Sequence, residues 1–278
     1  MRDPVHDLYD EGSQIHVAFS PCPNDTFMMD AFVHHKIPHS IPLQTHFLDI
    51  QALNSAALNH QYAVSKISVA TLPLISDQYQ LLESGAAMGF GCGPILVSKK
   101  EIRPDEMEKL MFAIPGKNTT AHYLFNHFFP KAQRKKFMVF SDIEAAINSG
   151  EVDAGVLIHE GRFTYATRGL LLNYDLGALW EKQYQLPIPL GVFVANKSLG
   201  QKKISIIEEM IRKSIEYAFL NPDDSRSYVL AHSQELSPEV VKQHIDLYVN
   251  EYSIDLGVKG HQAINFLLSN TNTIPKSN

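Results

Sequence analysis

The chain has 278 residues, which is enough for one large domain or two domains of ordinary size. Hydrophobic residues make up 45% and charged residues 19%, a composition that excludes collagen-like, coiled-coil and disordered proteins. The 24 Lys and Arg residues against 30 Asp and Glu residues give a formal charge of −6, so we expect no nucleic-acid partner.

The two cysteines and the N-terminal segment indicate in which cellular compartment the protein is expected. Cys22 and Cys92 form no CxxC pair, so the sequence predicts neither a disulfide framework nor a structural zinc site. The first twelve residues are polar and acidic, and no apolar stretch approaches the roughly 18 residues of a membrane span. We therefore expect a cytoplasmic protein without a membrane partner.

Strands and helices alternate in the first part of the chain. Apolar alternation predicts a strand at 15–19, followed by a rigid loop with two prolines and a helix that begins at Thr26, capped by Asn24 or Asp25. A helix capped by Asp49 follows the second strand. The further strands are predicted at 43–48, 62–67 and 95–97.

A charged connection over 98–110 precedes a second series of strands and helices. Gly150 is expected to end one of its helices, and Ser237 to cap a later one. The strands of this second part are predicted at 111–115, 136–140, 153–158 and 192–195. A short helix capped by Ser141 or Asp142 is predicted to end at Asn148. The other helices are predicted at 121–129, 202–219, 225–232, 238–251 and 258–268.

This order predicts an α/β protein with two lobes, each a mainly parallel sheet flanked by helices. We expect a discontinuous larger lobe, 13–98 with 190–278, and an inserted smaller lobe, 99–189. Ligands of open α/β sheets bind beyond the carboxyl ends of strands, so the cleft between the lobes is the expected site. Four segments are expected to converge there: 20–26, 66–68, 116–121 and 159–162.

Two of these segments have the features of anion sites. The loop before the first helix, with Asn24, leads into a helix N-terminus with free amides, although a stiff turn with a helix cap is equally consistent. The stretch 116–121 places glycine, hydroxyls and amides at a strand-to-helix junction. It lacks the spacing of a nucleotide P-loop, so it suits a small carboxylate, or is an ordinary Thr-capped helix start.

His159 emerges from an apolar strand and could act as a general base, although a lone histidine is more often structural. A zinc-binding HExxH motif would need His at 163, where the chain has Phe163, so no metal site is predicted. Lys66 and Ser68 face the same side of a strand and offer a cation and a hydroxyl. Cys22 is interpreted as an inert thiol rather than a nucleophile.

Five motifs together resemble the 1,4-dihydroxy-6-naphthoate synthase family of the futalosine route to menaquinone. The motifs, in order, are SPCPNDTF at 20–27, KIS at 66–68, GKNTTA at 116–121, IHEGRFTY at 158–165 and LPIPLG at 186–191. The resemblance implies a fold like the type 2 periplasmic binding proteins, used as an enzyme without a cofactor. It further implies conversion of cyclic dehypoxanthinyl futalosine to 1,4-dihydroxy-6-naphthoate, with dihydroxyacetone as the other product.

The resemblance also implies roles for particular residues. The histidine matching His159 is the family's proposed proton acceptor, and the positions matching Lys66, Ile67, Ser68, Thr120 and Ala121 line the substrate site. We expect Thr119, Thr120 and the adjacent amides to hold the substrate carboxylate, and Lys66 or Ser68 to steady hydroxyls or developing negative charge. Asn24 and Arg162 complete the expected substrate-binding set.

Two other functions remain open from the sequence. The first is chorismate dehydratase, an enzyme of the same pathway with a similar architecture. The second is a non-catalytic solute-binding protein, which would close the same cleft on a ligand without chemistry. The sequence predicts no oligomeric state.

Overall fold

Two sheets organise the chain, which a computed structural model describes over residues 14–38, 41–233 and 237–271. The elements before the first crossing between sheets are β1 (Ile15–Phe19), α1 (Pro23–Val33), β2 (Leu43–Phe47), α2 (Ile50–Leu58), β3 (Val64–Ser68), α3 (Leu72–Ile75), β4 (Tyr79–Leu81) and β5 (Ala87–Gly89).

The second sheet is built from one continuous part of the chain. Its elements are β6 (Ile95–Ser98), β7 (Phe112–Ile114), α4 (Thr120–Phe128), β8 (Lys135–Phe137), α5 (Ile143–Ser149), β9 (Ala154–Leu157), α6 (Gly161–Thr164), β10 (Leu171–Asp175) and α7 (Leu176–Tyr184). The chain then returns to the first sheet with β11 (Ile188–Asn196), α8 (Gln201–Leu220), α9 (Arg226–His232), α10 (Pro238–Tyr248), α11 (Glu251–Ile254) and α12 (Gly257–Thr271).

Strand pairing confirms the α/β class. The first sheet has the order β2-β1-β3-β11-β4, with β5 also on β11, and the second has the order β10-β6-β9-β7-β8. Strands that belong to successive strand-helix units pair in parallel, as β1 does with β2 and β3, and β7 with β8 and β9. The strands β6 and β11 enter each sheet from the other one and pair antiparallel, so both sheets are mixed rather than mainly parallel.

The predicted lobe limits stay a prediction, with one change at the first crossing. Residues 95–98, which the sequence analysis placed in the larger lobe, form β6 and pair with β9 and β10 of the second sheet. Periodicity identifies a strand but not its partner, which is why the assignment failed there. We therefore place the start of the inserted lobe before residue 95.

The first helix lies deeper in the protein than a surface helix. Ten of the eleven residues of α1 are buried, since the helix is covered by α8. Ser214 of α8 joins the two helices by donating to the carbonyl of Met28 at 2.6 Å and accepting from the amide of Phe32 at 2.9 Å. This packing fixes the position of the loop that precedes α1.

Several element boundaries differ from the prediction. Helix α1 begins at Pro23 with Cys22 as its N-cap, so Asn24 and Asp25 lie in the first turn instead of capping a helix at Thr26. Proline is well tolerated at this first position because its missing N–H would have no helical acceptor. Helix α10 ends at Tyr248, before the predicted 251. No helix in the described ranges is long and apolar enough to cross a membrane.

Candidate active site

A cavity lies where the four predicted segments meet. The loop after β1, the end of β3, the start of α4 and the residues after β9 all contribute to its wall. Its polar lining comes from both sheets. The lining residues used below are Ser20, Asn24, Asp25, Lys66, Ser68, Thr119, Thr120, Ala121, His159 and Tyr248.

Asp25 organises the loop after β1. Its carboxylate accepts hydrogen bonds from the Ser20 hydroxyl at 2.8 Å and from the Asn24 side-chain amide at 2.9 Å. It also forms an ion pair with Lys66 at 3.0 Å, and the side chains of both charged residues are no more than 3% exposed. The Lys66 ammonium additionally donates to the carbonyl of Gly85 at 2.5 Å. The predicted cation of the cavity is thus largely neutralised by a buried partner that the sequence analysis did not assign to it.

The hydroxyls at the start of α4 already have partners. Thr119 caps the helix by accepting from the amide of His122 and donates to the carbonyl of Gly116 at 2.9 Å. Thr120 donates to the carbonyl of Leu190 at 2.9 Å. The first amides of a helix have no acceptor within it, so the amides of Thr120 and Ala121 are the groups that can bind an anion.

Ser68 is different, because its hydroxyl acts as an acceptor in its contact with the protein. The Asn54 side chain donates to the Ser68 oxygen at 3.0 Å and accepts from the Ser68 amide at 2.8 Å. This pairing holds the side chain in one position and leaves the hydroxyl proton to be directed into the cavity.

His159 stands at the wall of the cavity directly after β9. Its backbone φ of 54° is unusual for a residue other than glycine and indicates that the corner is held by its surroundings. Its Nε2 is buried without a hydrogen-bond partner among the described residues. Burial lowers the pKa of His159 to about 4, an effect that Asp25 and Asp49 oppose. The imidazole is therefore neutral near pH 7.

A second histidine, His244 of α10, packs behind the first. Its ring is parallel to that of His159, with the ring centroids 6.0 Å apart, and the residue is fully buried. Its Nε2 contacts the Asn24 oxygen at 2.9 Å. Asn24 presents this oxygen because its amide nitrogen donates to Asp25, so Nε2 of His244 carries the proton and Nδ1 is the bare nitrogen.

Sequence reasoning missed His244 although a signal was available. The residue lies between Val241 and Tyr248 at helical spacing, which places it on the buried face of α10. A histidine on the apolar face of a helix can be recognised as buried, but its contact with Asn24, 220 positions earlier, depends on the fold. Tyr248, also buried, lines the cavity from the same helix.

His159 belongs to a cluster of potential metal ligands. One ligand atom each of Cys22, His159 and Glu160 lie within 4.8 Å of one another. Burial, and next the charge of Glu160, raises the pKa of the Cys22 thiol well above its usual value. The sequence prediction of no metal site was based on local spacing, whereas this cluster combines the loop before α1 with the corner after β9.

Two of the predicted binding residues do not point into the cavity. The Ile67 side chain is fully buried in the hydrophobic core, because neighbouring residues of a strand face opposite sides. Arg162 donates to the carbonyl of Gly93 at 2.7 Å and to the Asp175 carboxylate at 2.6 Å. Arg162 therefore connects the corner after β9 to the crossing segment and to the end of β10.

The structure is that of an α/β protein of two sheets with a cavity lined by residues of both, and comparisons with known proteins agree with this fold. The sequence matches the menaquinone-biosynthesis family model over residues 15–272, so the chain belongs to that family. It is 39% identical to the 1,4-dihydroxy-6-naphthoate synthase of Thermus thermophilus over 254 residues, which cover 90% of this chain and 91% of the relative. The enzyme of the same name from Streptomyces coelicolor is 39% identical over 260 residues, 92% of each chain. The predicted family resemblance is confirmed.

Solved structures support the same fold. A crystal structure of a protein from Archaeoglobus fulgidus superposes with a TM-score of 0.88 at 34% identity and covers 94% of this chain and 97% of that one. The alkanesulfonate-binding protein SsuA from Xanthomonas axonopodis, bound to MOPS, has a TM-score of 0.67 at 14% identity, with 96% of each chain covered. The second similarity concerns the fold alone and confirms the predicted likeness to periplasmic binding proteins.

Proposed function

We propose that the protein is a lyase that converts cyclic dehypoxanthinyl futalosine to 1,4-dihydroxy-6-naphthoate and dihydroxyacetone, with His159 as the general base. The observation that carries this proposal is a neutral histidine at the wall of the cavity whose buried Nε2 has no hydrogen-bond partner among the described residues. The two 39% identical relatives bear the name of this enzyme. A cytoplasmic location stays a prediction.

Three sets of groups have distinct roles in the proposed reaction. The amides of Thr120 and Ala121, at the positive end of α4, bind the substrate carboxylate. The Ser68 hydroxyl donates to a substrate oxygen on which negative charge develops. Neutral His159 removes a proton from the bound substrate, and aromatisation of the product ring drives the subsequent carbon-carbon cleavage. The protein supplies orientation and one base, a contribution of roughly 10²- to 10⁴-fold in rate.

The test compares wild type with His159→Gln, which keeps a polar side chain of similar length without a base. Both proteins are incubated with cyclic dehypoxanthinyl futalosine, and the naphthoate is measured by chromatography and mass spectrometry. We expect turnover to fall by about 10²- to 10⁴-fold while substrate affinity changes little. His232→Gln, in α9, is the matched control and should leave turnover unchanged.

Other outcomes distinguish the remaining functions. A fully active His159→Gln enzyme contradicts the assignment of the base but not of the reaction. Substrate recovered intact from wild type after binding favours a solute-binding role. Turnover of chorismate in place of the futalosine compound assigns the protein to the dehydratase reaction.

A further inference from the structure

Three side chains that can ligate a metal lie together beside the cavity, and a fourth lies next to one of them. Cys22, His159 and Glu160 offer ligand atoms within 4.8 Å of one another, and Nδ1 of His244 lies 4.0 Å from the Glu160 carboxylate. Ligand atoms around tetrahedral zinc are about 3 to 4 Å apart, given bond lengths of roughly 2.0 to 2.3 Å. Side-chain movements of about an ångström therefore bring the ligand atoms of Cys22, His159 and Glu160 to these spacings, and Nδ1 of His244 lies beside the same carboxylate.

Two of the four groups have a nitrogen with no partner among the described residues. Nδ1 of His244 and Nε2 of His159 are both buried and make no hydrogen bond. Asn24 fixes the tautomer of His244, so that its Nδ1, 4.0 Å from the Glu160 carboxylate, carries a lone pair. A cation between this lone pair and the carboxylate would give both groups a partner.

The donor set selects the kind of cation. One thiol, two imidazoles and one carboxylate suit zinc and similar transition metals, whereas magnesium and calcium prefer oxygen ligands. The thiolate and carboxylate together carry a charge of −2, which a divalent cation balances inside the protein. Lys66, the positive side chain that lines the same cavity as His159, is already paired with Asp25.

Two cavities border the cluster. His159 lines the cavity described above, and Glu160 lines a second one that Glu144 and Arg168 also line. A cation that enters through either cavity meets acceptor groups at the wall between them.

We propose that Cys22, His159, Glu160 and His244 form an inhibitory site for zinc or a similar divalent metal. Binding breaks the S–H bond of Cys22, releases its proton to the solvent and places the metal on the thiolate. The metal also occupies the imidazole of His159 and so removes the base from the reaction. The inhibitory effect rests on the proposed function, whereas metal binding does not.

The first experiment measures binding without turnover. The full chain is freed of metal by dialysis against a chelator and titrated with Co²⁺, which reports thiolate ligands through a near-ultraviolet charge-transfer band. We expect one equivalent to bind with that band, and Zn²⁺ to displace it. Cys22→Ser should abolish the band and weaken zinc affinity at least about 100-fold.

Control variants keep the result interpretable. Cys92→Ser removes the other buried thiol and should retain the full Co²⁺ band. If Cys22→Ser does not fold by circular dichroism, Glu160→Gln removes a ligand while keeping its size, and it should weaken zinc affinity comparably. Failure of the wild-type protein to bind a stoichiometric metal ion, or a band retained in Cys22→Ser, overturns the site.

The second experiment adds the substrate. Zn²⁺ should abolish naphthoate formation, and EDTA should restore it. Tight zinc binding with unchanged turnover overturns the inhibitory role. A wild-type protein that never forms naphthoate refutes the proposed function, while the Co²⁺ spectrum still decides whether the metal site exists.

Discussion

Two hydroxyls at the wall of the cavity each accept a hydrogen bond from the protein but differ in where they donate. The Thr120 hydroxyl donates to the carbonyl of Leu190. The Ser68 hydroxyl accepts from Asn54, so its proton can be donated to a ligand in the cavity. Residue type alone could not separate these roles, since both residues are buried hydroxyls beside the same cleft. The difference leads to opposite expectations for their removal.

Ser68→Ala should lower kcat/KM for cyclic dehypoxanthinyl futalosine by about five- to tenfold, because one hydrogen bond to the substrate is lost. Thr120→Val should instead lower the free energy of unfolding by about 1 to 3 kcal/mol, since the carbonyl of Leu190 loses its donor. Steady-state kinetics and urea denaturation of both variants measure the contrast. The reverse pattern, with Thr120 controlling kcat/KM, would contradict the assignment of the carboxylate to the backbone amides.

The ion pair between Asp25 and Lys66 is expected to be costly to break. With each side chain at most 3% exposed, Lys66→Met leaves an uncompensated buried carboxylate and should destabilise the protein by about 3 to 5 kcal/mol. The double variant with Asp25→Asn should lose less than the sum of the two single changes. Urea denaturation of the two single variants and the double variant measures the coupling free energy between the two side chains.

An exposed ion pair is the control for this measurement. Lys242 and Asp246 of α10 have side chains 74% and 59% exposed, so Lys242→Met should cost below about 1 kcal/mol. If the effects of Lys66→Met and Asp25→Asn on the free energy of unfolding were simply additive, the two charges would be stabilised independently of each other, and the ion-pair prediction would be wrong.

At the scale of elements, the turn before α4 is fixed by a glycine. Gly116 has a φ of 137°, and a Cβ there would lie 2.4 Å from the side-chain oxygen of Gln51. That oxygen accepts from the amide of Asn118 at 3.1 Å, while the carbonyl of Asn118 accepts from Asn54 and Thr71. Hydrogen bonds to the side chains of Gln51, Asn54 and Thr71 therefore hold the turn at the start of the proposed carboxylate site.

Gly116→Ala should lower the free energy of unfolding by about 1 to 3 kcal/mol and raise KM, because both the backbone and Gln51 must move. Gly150→Ala is the matched control, with a φ of 79° and no atom within 4 Å of the added Cβ. It should cost only about 1 kcal/mol and leave KM unchanged. Equal KM values for the two variants would show that the turn does not position the carboxylate site.

How well each element could be predicted depends on the physical signal it carries. Strand β1 and helix α2 carry clear periodicity or a strong cap, and they lie where the sequence predicts them. Strands β4 and β5 have only three residues each, too few to show alternation, and were not predicted. The start of α1 was placed three residues late because proline was interpreted only as a loop residue.

At the scale of the whole molecule, the convergence of four segments followed from one rule, that ligands bind at the carboxyl ends of strands. The contacts of His244 and the cluster around Cys22 could not follow from that rule. They depend on how α10 packs against the loop before α1, which brings positions 22, 159 and 244 together. No local spacing contains this information.

The crossing between the two sheets involves Arg162, which the sequence analysis assigned to the substrate. Gly93 of the crossing packs so closely against Gly177 that a Cβ on it would lie 2.2 Å from the Gly177 Cα. Arg162 connects the carbonyl of Gly93 to Asp175, which also caps α7. These contacts indicate that Arg162 stabilises the junction between the second sheet and the segment that crosses to it from the first sheet.

Arg162→Met should therefore act mainly on stability. Loss of two hydrogen bonds from a charged, largely buried group predicts a cost of about 2 to 3 kcal/mol, with a change in KM below about threefold. Arg103→Met, whose side chain is 68% exposed, should cost below about 1 kcal/mol. A KM increase of more than tenfold in Arg162→Met at unchanged stability would return Arg162 to the substrate site, since a residue that only connects the sheets cannot weaken binding without weakening the fold.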